Sequence, residues 1–211
     1  MSKIVAKADG DRTPIDPVPQ GVHVARCYLI ADIGTQTDEW KGEIKHQHKI
    51  ILTWEIPDER IDVEYDGVEK NLPRAISKTY TLSLGEKANL RKDLVCWRGR
   101  DFTDEELAGF DLEAILGKSC QIQVVHKPRQ GGGVSYKIAS VMSLPKGMKH
   151  ETPENPCRMW SIGDPLEDVP KWMVDLAMKS KEWAERVDGH TEQAEPDPAG
   201  DEEDPDSALP F

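Results

Sequence analysis

The chain contains 211 residues, of which 39 are acidic and 27 are lysine or arginine, for a formal net charge of -12. This length suits one domain with appendages. No stretch approaches the roughly 18–20 apolar residues of a membrane helix, and residues 1–20 lack the apolar run of a signal peptide. The four cysteines form no CxxC pair, which favours buried thiols in a reducing compartment. We therefore expect a soluble cytoplasmic protein without a membrane partner.

The negative charge is concentrated at the C-terminus. Residues 1–150 contain 22 acidic and 22 basic residues, residues 151–187 carry a net charge of -3, and residues 188–211 carry -9. Within the neutral body, residues 70–100 hold eight basic residues against two acidic ones, an excess of +6. A local basic excess of this kind is typical of a surface that binds nucleic acid, and it also occurs on a solvated helix face.

Alternation of apolar and polar residues predicts three strands in the first part of the chain. The strands cover 21–32, 45–56 and 75–84. A loop over 33–43 separates the first two. The polar stretch 57–74, punctuated by Pro and Gly, is predicted to be a long connection.

The period changes after the third strand. Apolar residues at helical spacing predict a helix over 86–98, a capping box predicts a second short helix over 103–110, and a further turn is predicted over 112–116. Alternation returns over 118–127 and 134–144, which flank a glycine-rich hairpin tip. The predicted order is strand, strand, strand, helix, strand, strand.

Five strands with a helical segment between the third and fourth is the connectivity of the OB-fold, a five-stranded β-barrel that binds oligonucleotides. We therefore predict a mainly β protein with an OB-like barrel over 21–150, preceded by a flexible arm over 1–20. SH3-like barrels and irregular α+β sheets have the same order of elements, and both remain as alternative folds. The extension 151–187 ends in a helix over 170–187 that packs on the barrel or on a second subunit.

The last 24 residues, 188–211, contain nine carboxylates and no Lys or Arg. They bury too little apolar surface to offset the entropy of ordering, so a disordered tail is expected. An acidic run followed by a terminal Pro-Phe resembles the C-terminal tail of bacterial and phage single-stranded DNA-binding proteins, although Ser207-Ala208-Leu209 stand where that family keeps acid. The tail residues predicted to bind a partner are Asp201, Glu202, Glu203, Asp204, Asp206, Leu209, Pro210 and Phe211.

This resemblance implies a protein that binds and protects single-stranded DNA without sequence specificity in a bacterial or phage-infected cytoplasm. It implies that the tail recruits replication, recombination or repair proteins and competes with DNA for the basic groove. A single-strand annealing or recombination-mediator protein is the main alternative, and a nuclease with a recruiting tail is a third. The oligomeric state stays open, with a homo-oligomer among the choices.

Single strands are held by basic grooves and by aromatic faces on which bases stack. Trp40 beside Lys41 is the best stacking candidate, because both lie in the polar loop between the first two strands. Tyr28, Trp54 and Tyr80 fit the core better, but stacking is not excluded for them. The predicted DNA-binding set is Trp40, Lys41, Arg74, Lys78, Tyr80, Lys87, Arg91, Lys92, Trp97, Arg98, Arg100, Lys127, Arg129, Tyr136 and Lys137.

Patterns for other chemistry are weak. His46 and His48 share one strand face, but no further ligand follows at a recognisable spacing. The glycine triplet at 131–133 lacks the Lys and helix of a phosphate-binding loop. No local catalytic signature occurs, so we predict no enzyme activity, no metal and no cofactor.

Overall fold

The computed structural model describes residues 17–40, 42–65, 68–129, 133–148 and 151–191. Most of the predicted N-terminal arm and the tail residues that resemble single-stranded DNA-binding proteins lie outside these ranges. None of the helices in the described part of the chain combines the length and apolar character that crossing a bilayer requires.

The fold is mainly β, as predicted, and is built around one sheet. Its strands are β1 (Gly21–Trp40), β2 (Glu43–Tyr65), β3 (Val68–Thr81), β4 (Ser119–Pro128), β5 (Val134–Met142) and β6 (Arg158–Trp160). The hydrogen-bonded order is β3-β2-β1-β4-β5, and β6 pairs in parallel with β1. The remaining described pairings are antiparallel. Strand β1 is the central strand, because β2, β4 and β6 all pair with it.

The two ends of this order approach each other without pairing. Cα atoms of β3 and β5 come within 8 Å, yet no hydrogen-bonded ladder joins the two strands in the described residues. The sheet is therefore open along its hydrogen bonds. Strand β6 was not predicted, because three residues are too short for a period of two to show.

The predicted connection over 57–74 is instead a long two-stranded ribbon. Strands β2 and β3 pair from Arg60 opposite Pro73 to Tyr65 opposite Val68, beyond a register shift that follows Ile56. The predicted loop over 33–43 is likewise mostly strand, since β1 continues to Trp40. Such ribbons are hard to predict from sequence, because two paired strands of a hairpin need no continuous apolar face and therefore show no apolar alternation.

The helical segments occur in two places, between β3 and β4 and after β6. They are α1 (Asn89–Arg98), α2 (Asp104–Ala108), α3 (Lys171–Ala177) and α4 (Lys181–Thr191), with 3-10 turns at Leu112–Ile115 and Leu166–Asp168. The capping box is confirmed, since Thr103 and Glu106 cap α2 reciprocally. The prediction of a single helix over 170–187 is wrong. Helix α3 ends at Ala177, and a separate helix, α4, begins at Lys181. The Trp183 amide donates a hydrogen bond to Ser180 Oγ at the beginning of α4. Helix α4 then runs four residues into the predicted tail.

Two apolar clusters lie on opposite sides of the sheet. The inner cluster contains the fully buried Trp54 and the buried face of α1, which assigns Trp54 to the core. The outer cluster joins Leu29, Ala31 and Ile33 of β1 to the C-terminal extension, through side chains that include Met173 of α3. The extension therefore packs on the sheet of its own chain, the first of the two arrangements left open by the sequence.

A buried carboxylate fixes the beginning of the extension. Glu55 is fully buried and accepts hydrogen bonds from the backbone amides of Glu154 (2.7 Å) and Asn155 (2.9 Å). The Asn155 side-chain Nδ2 donates a third bond to it at 2.7 Å. Arg26 lies 3.5 Å from the same carboxylate. These partners satisfy a buried charge that would otherwise be strongly destabilising.

A second contact fixes the α3–α4 junction to β1. The Thr35 amide and hydroxyl each donate to the Glu182 carboxylate at 2.6 Å. Gly34 makes this approach possible, because its φ is +68° and an added Cβ would lie 2.6 Å from Glu182 Oε2 and 2.8 Å from Ser180 Cβ. Buried Gln36 donates to the Leu176 carbonyl at 3.1 Å. Helix α3 is therefore held firmly on the outer face of the sheet.

The last residues of the predicted flexible arm are packed. Val18 is buried, and its carbonyl lies 2.7 Å from His126 Nε2 of β4. Gln20 Oε1 accepts from the His126 amide at 3.3 Å. Packing on the sheet thus extends at least to Val18, before the predicted boundary at residue 21, because a short apolar anchor lies among prolines.

Candidate nucleic-acid interface

A row of hydroxyl side chains lies on the outer face of β3. Ser77, Thr79 and Thr81 alternate with the inward-facing Ile76 and Tyr80. The stretch from Ala75 to Thr81 spans about 20 Å at 3.3 Å per residue. Because these side chains are small and polar, they leave a shallow track on which an extended polymer could lie.

A polar cleft of about 760 Å³ lies at one end of this row. Thr79 and Thr81 continue into it, and it is also lined by Gln47 and Lys49 from β2 and by Lys87 from the turn that precedes α1. Lys49 forms an ion pair with Asp38. Lys87 is exposed and has no ion pair in the part of the chain that is described.

An aromatic cleft of about 690 Å³ lies at the other end of the row. Three aromatic residues from three elements line it: Tyr28 of β1, Tyr136 of β5 and Trp172 of α3. Tyr136 and Trp172 are 42% and 46% exposed. Burial raises the pKa of Tyr28 to about 12, with the Glu55 charge adding to the effect. Arg129 also lines the cleft, so a cation stands beside the aromatic faces.

The floor of the aromatic cleft carries hydroxyl groups. Thr53 Oγ1 and Ser77 Oγ lie 2.8 Å apart, and both residues line the cleft. A hydroxyl group has one donor and two acceptor positions and can rotate to suit its neighbour. The floor can therefore hydrogen-bond to groups of either polarity.

Two predicted stacking residues belong to the core instead. Tyr80 is 2% exposed, and its hydroxyl donates to Asp93 Oδ2 at 2.7 Å. Trp97 is 7% exposed, its Nε1 donates to the Ser119 carbonyl at 3.1 Å, and its ring centroid lies 5.9 Å from that of Trp54. Neither ring has a free face on which a base could stack, so both residues are assigned to the core.

Most of the predicted basic surface around α1 is already paired. Lys78 contacts Asp93 at 2.6 Å, and Arg91 contacts Asp101 at 3.2 Å. Glu106 pairs with Arg98, and with Arg100 at 2.7 Å.

These pairs change the electrostatics of the region. The hydrogen bond from Arg100 is the main reason why the pKa of Glu106 falls to about 2. Arg98 also lies over the Phe102 ring at 4.4 Å. Extending the count from residue 100 to residue 106 adds four acids, so the excess of +6 falls to +2. The predicted basic footprint is therefore much weaker than the shorter window indicated.

The other predicted cations occupy different surfaces. Lys92 is exposed on α1, whereas Arg74 lies on the ribbon, where its Nε donates to the Arg60 carbonyl at 3.4 Å. Lys127 and Lys137 project from the face of the β4–β5 hairpin opposite Tyr136, as the strand register requires. Of the predicted set, only Arg129 and Tyr136 meet in the aromatic cleft.

The remaining candidates, two for DNA binding and two histidines, belong to the hairpin of β1 and β2. Trp40 ends β1 opposite Glu43, but its side chain, like Lys41, lies outside what the structure describes. His46 Nδ1 lies 3.1 Å from Thr37 Oγ1, and His48 Nε2 lies 2.7 Å from Asp32 Oδ1. Among the described residues no group of three or more His, Cys, Asp and Glu side chains is arranged to hold a metal ion.

Sequence reasoning missed Trp172 and the hydroxyl row. Trp172, Leu176 and Trp183 fall near one stripe of the single helix predicted over 170–187, and such a stripe indicates packing rather than a binding site. The hydroxyl row did carry a signal, since Ser77, Thr79 and Thr81 fall on one side of a strongly alternating strand. That alternation identifies a solvent face, but it does not show which clefts the face connects.

No protein-family model, no curated protein and no solved structure matches this chain. The outer face of β2 and β3 carries a cleft at each end of its hydroxyl row.

Proposed function

We propose that this protein binds single-stranded DNA without sequence preference across the outer face of β2 and β3. The observation that carries the proposal is the hydroxyl row that runs between the aromatic cleft and the polar cleft. A strand lying on this row would meet aromatic faces and Arg129 at one end and Lys87 at the other. Single strands are typically held by this combination of stacking surfaces and cations.

The order of the strands supports an OB-fold as the scaffold. The path β3-β2-β1-β4-β5, with α1 between β3 and β4, has the connectivity of this five-stranded, partly open barrel. The close approach of β3 and β5 is compatible with partial closure. OB-folds bind oligonucleotides on the face of their second and third strands and through the loops of the two hairpins. The clefts described above lie on the corresponding face.

The side chains of the track favour binding to any base sequence. Hydroxyl groups can donate or accept, and aromatic rings stack on every base because every base has a π-face. Exposed cations on Lys87 and Arg129 attract phosphates, which are the same at every position. Neither the hydroxyl groups nor the aromatic rings have the fixed, bidentate geometry that reads one particular base.

A titration with oligo-dT at several salt concentrations tests the proposal. The logarithm of the affinity should fall with the logarithm of salt concentration by about 0.7 per phosphate neutralised, and duplex DNA of equal length should bind more weakly. Arg129→Glu should weaken binding and reduce the salt slope. Lys146→Glu makes the same charge change at an exposed position outside both clefts.

Three results would count against the proposal. Binding that does not respond to salt would exclude a phosphate-tracking groove. Equal affinity for duplex would exclude a site built for unpaired bases. Equal effects of Arg129→Glu and Lys146→Glu would show that net charge, and not this face, attracts DNA.

A further inference from the structure

We propose that the aromatic cleft is a pocket for an unpaired nucleobase, and that the C-terminal extension supplies one of its stacking walls through Trp172. The inference rests on the proposed binding of single-stranded DNA and deepens it. It gives the extension a direct role in the binding site, beyond connecting the sheet to the acidic tail.

The exposure of Trp172 is not explained by packing. On α3 the side chains of Met173, Val174 and Ala177 are buried in the outer cluster and hold the short helix on the sheet. Trp172 is not part of that cluster and is 46% exposed. A single exposed apolar residue needs no explanation, but this one lines a cleft with two tyrosines and an arginine.

The volume and chemistry of the cleft can accommodate a base. Its volume of about 690 Å³ falls in the range of roughly 300–1,000 Å³ that is usual for small-molecule sites. Aromatic side chains that line the cleft can stack on the faces of a base, and the Thr53–Ser77 hydroxyl pair, which also lines it, can hydrogen-bond to the edge of a base. Arg129 can contact the phosphate or stack on the base.

The pocket should select unpaired strands. In a duplex the faces of each base are covered by neighbouring bases, so a base must leave the stack before side chains can enclose it. The wall formed by Trp172 is held in place before DNA arrives, because Met173 is fully buried and Gln36 binds the Leu176 carbonyl. Preorganisation of this kind reduces the entropy lost on binding.

The test compares two alanine substitutions in the extension. Trp172→Ala removes the stacking wall, whereas Met178→Ala truncates a side chain of the same extension that is equally exposed (46%) but lies outside the cleft. The probes are a labelled 20-nucleotide oligo-dT and a 20-unit abasic strand with the same phosphates. Trp172→Ala should weaken binding to oligo-dT roughly 5- to 150-fold, as expected for the loss of one stacked base. It should leave binding to the abasic strand unchanged, and Trp172→Phe should restore most of the affinity.

The outcomes separate this inference from the proposed function. If the unaltered protein does not bind oligo-dT, the proposed function fails. If it binds, but Trp172→Ala behaves like Met178→Ala, only the base pocket fails. An equal loss of affinity for both probes would also overturn the pocket, because the effect would not depend on a base.

A second pair of substitutions guards against misfolding. Tyr136→Ala and Val134→Ala both truncate exposed side chains of β5, at 42% and 44% exposure, and only Tyr136 lines the cleft. Should Trp172→Ala fail to fold, this pair decides. Selective loss of oligo-dT binding in Tyr136→Ala supports the pocket, and equal binding by the two variants overturns it.

Discussion

Tyr80 places its hydroxyl against a carboxylate that also binds a lysine. Asp93 accepts from Tyr80 at 2.7 Å and contacts Lys78 Nζ at 2.6 Å. Burial is the main reason why the pKa of Tyr80 lies well above its ordinary value, and the neighbouring Asp93 charge adds to it. The phenol is therefore a structural donor that stays protonated at neutral pH.

Replacing this donor tests whether Tyr80 stabilises the core or stacks on a base. Tyr80→Phe should lower the free energy of unfolding by about 1.5–3 kcal/mol, the usual range for a hydrogen bond to a charged group. Affinity for oligo-dT should change by less than about twofold, because the ring contributes no exposed face to the site. Urea unfolding and an anisotropy titration measure the two quantities. A large loss of affinity with unchanged stability would return Tyr80 to the binding site.

Individual residues differ in how well the sequence predicts their place. Trp54 could be assigned to the core because it continues an alternating apolar series, and the structure confirms this. The pairing of Arg98 and Arg100 with Glu106 could not be predicted, because it depends on how the chain turns between α1 and α2. Alternation reports which face of an element is buried, whereas ion pairs and clefts depend on what packs beside it.

At the scale of elements, Gly34 decides whether α4 can dock on β1. A Cβ at this position would meet Glu182 Oε2 at 2.6 Å and Ser180 Cβ at 2.8 Å. Gly99, the residue after α1, has almost the same backbone conformation, with φ of +71° against +68°, but a Cβ added there would have no neighbouring atom within 4 Å. The two glycines therefore separate backbone strain from steric conflict.

Comparing Gly34→Ala with Gly99→Ala isolates the steric contribution. Both should lose roughly 1 kcal/mol through the left-handed backbone conformation. Gly34→Ala should lose a further 1–3 kcal/mol or so, in the range typical of overpacking, because α4 must shift. Thermal or urea unfolding of the two variants measures the difference. Equal losses would mean that the α4 contact adjusts freely and does not fix the extension.

The sequence predicts elements better than it predicts their extent. Apolar alternation predicts strands over 21–32, 45–56 and 75–84, and the first two are parts of longer strands. The third, β3, begins earlier at Val68 and ends at Thr81, three residues before the predicted end. The parts that were missed lie in polar hairpins, where pairing between strands replaces burial as the source of stability. The break between α3 and α4 was missed because Trp172, Leu176 and Trp183 fit one helical period across it.

At the scale of the whole molecule, the distribution of charge sets the expected response to salt. The acidic segment 192–211, outside the described residues, contains eight carboxylates. Deleting it should tighten binding to single-stranded DNA at low salt, because fewer negative charges compete for the cations of the site. The difference should fade near 1 M salt, where the Debye length is about 3 Å.

Removing Phe211 alone tests recruitment separately from charge. All eight side-chain carboxylates of the segment remain, so affinity for DNA should hardly change. Capture of replication, recombination or repair proteins should collapse, because a few aromatic anchors usually dominate an interface. Pull-down with the intact chain provides the reference. If the variant retains every captured protein, the tail acts only as a solubilising polyanion.

The central position of β1 has a consequence for synthesis on the ribosome. This strand emerges early, yet its outer side chains Leu29, Ala31 and Ile33 are covered by β6 and α3, which are among the last described elements to emerge. Until then an apolar strip stays exposed on a nascent chain, a situation that favours chaperone binding or aggregation. A chain truncated before residue 158 would therefore lack both β6 and α3 and would leave the apolar outer face of β1 exposed.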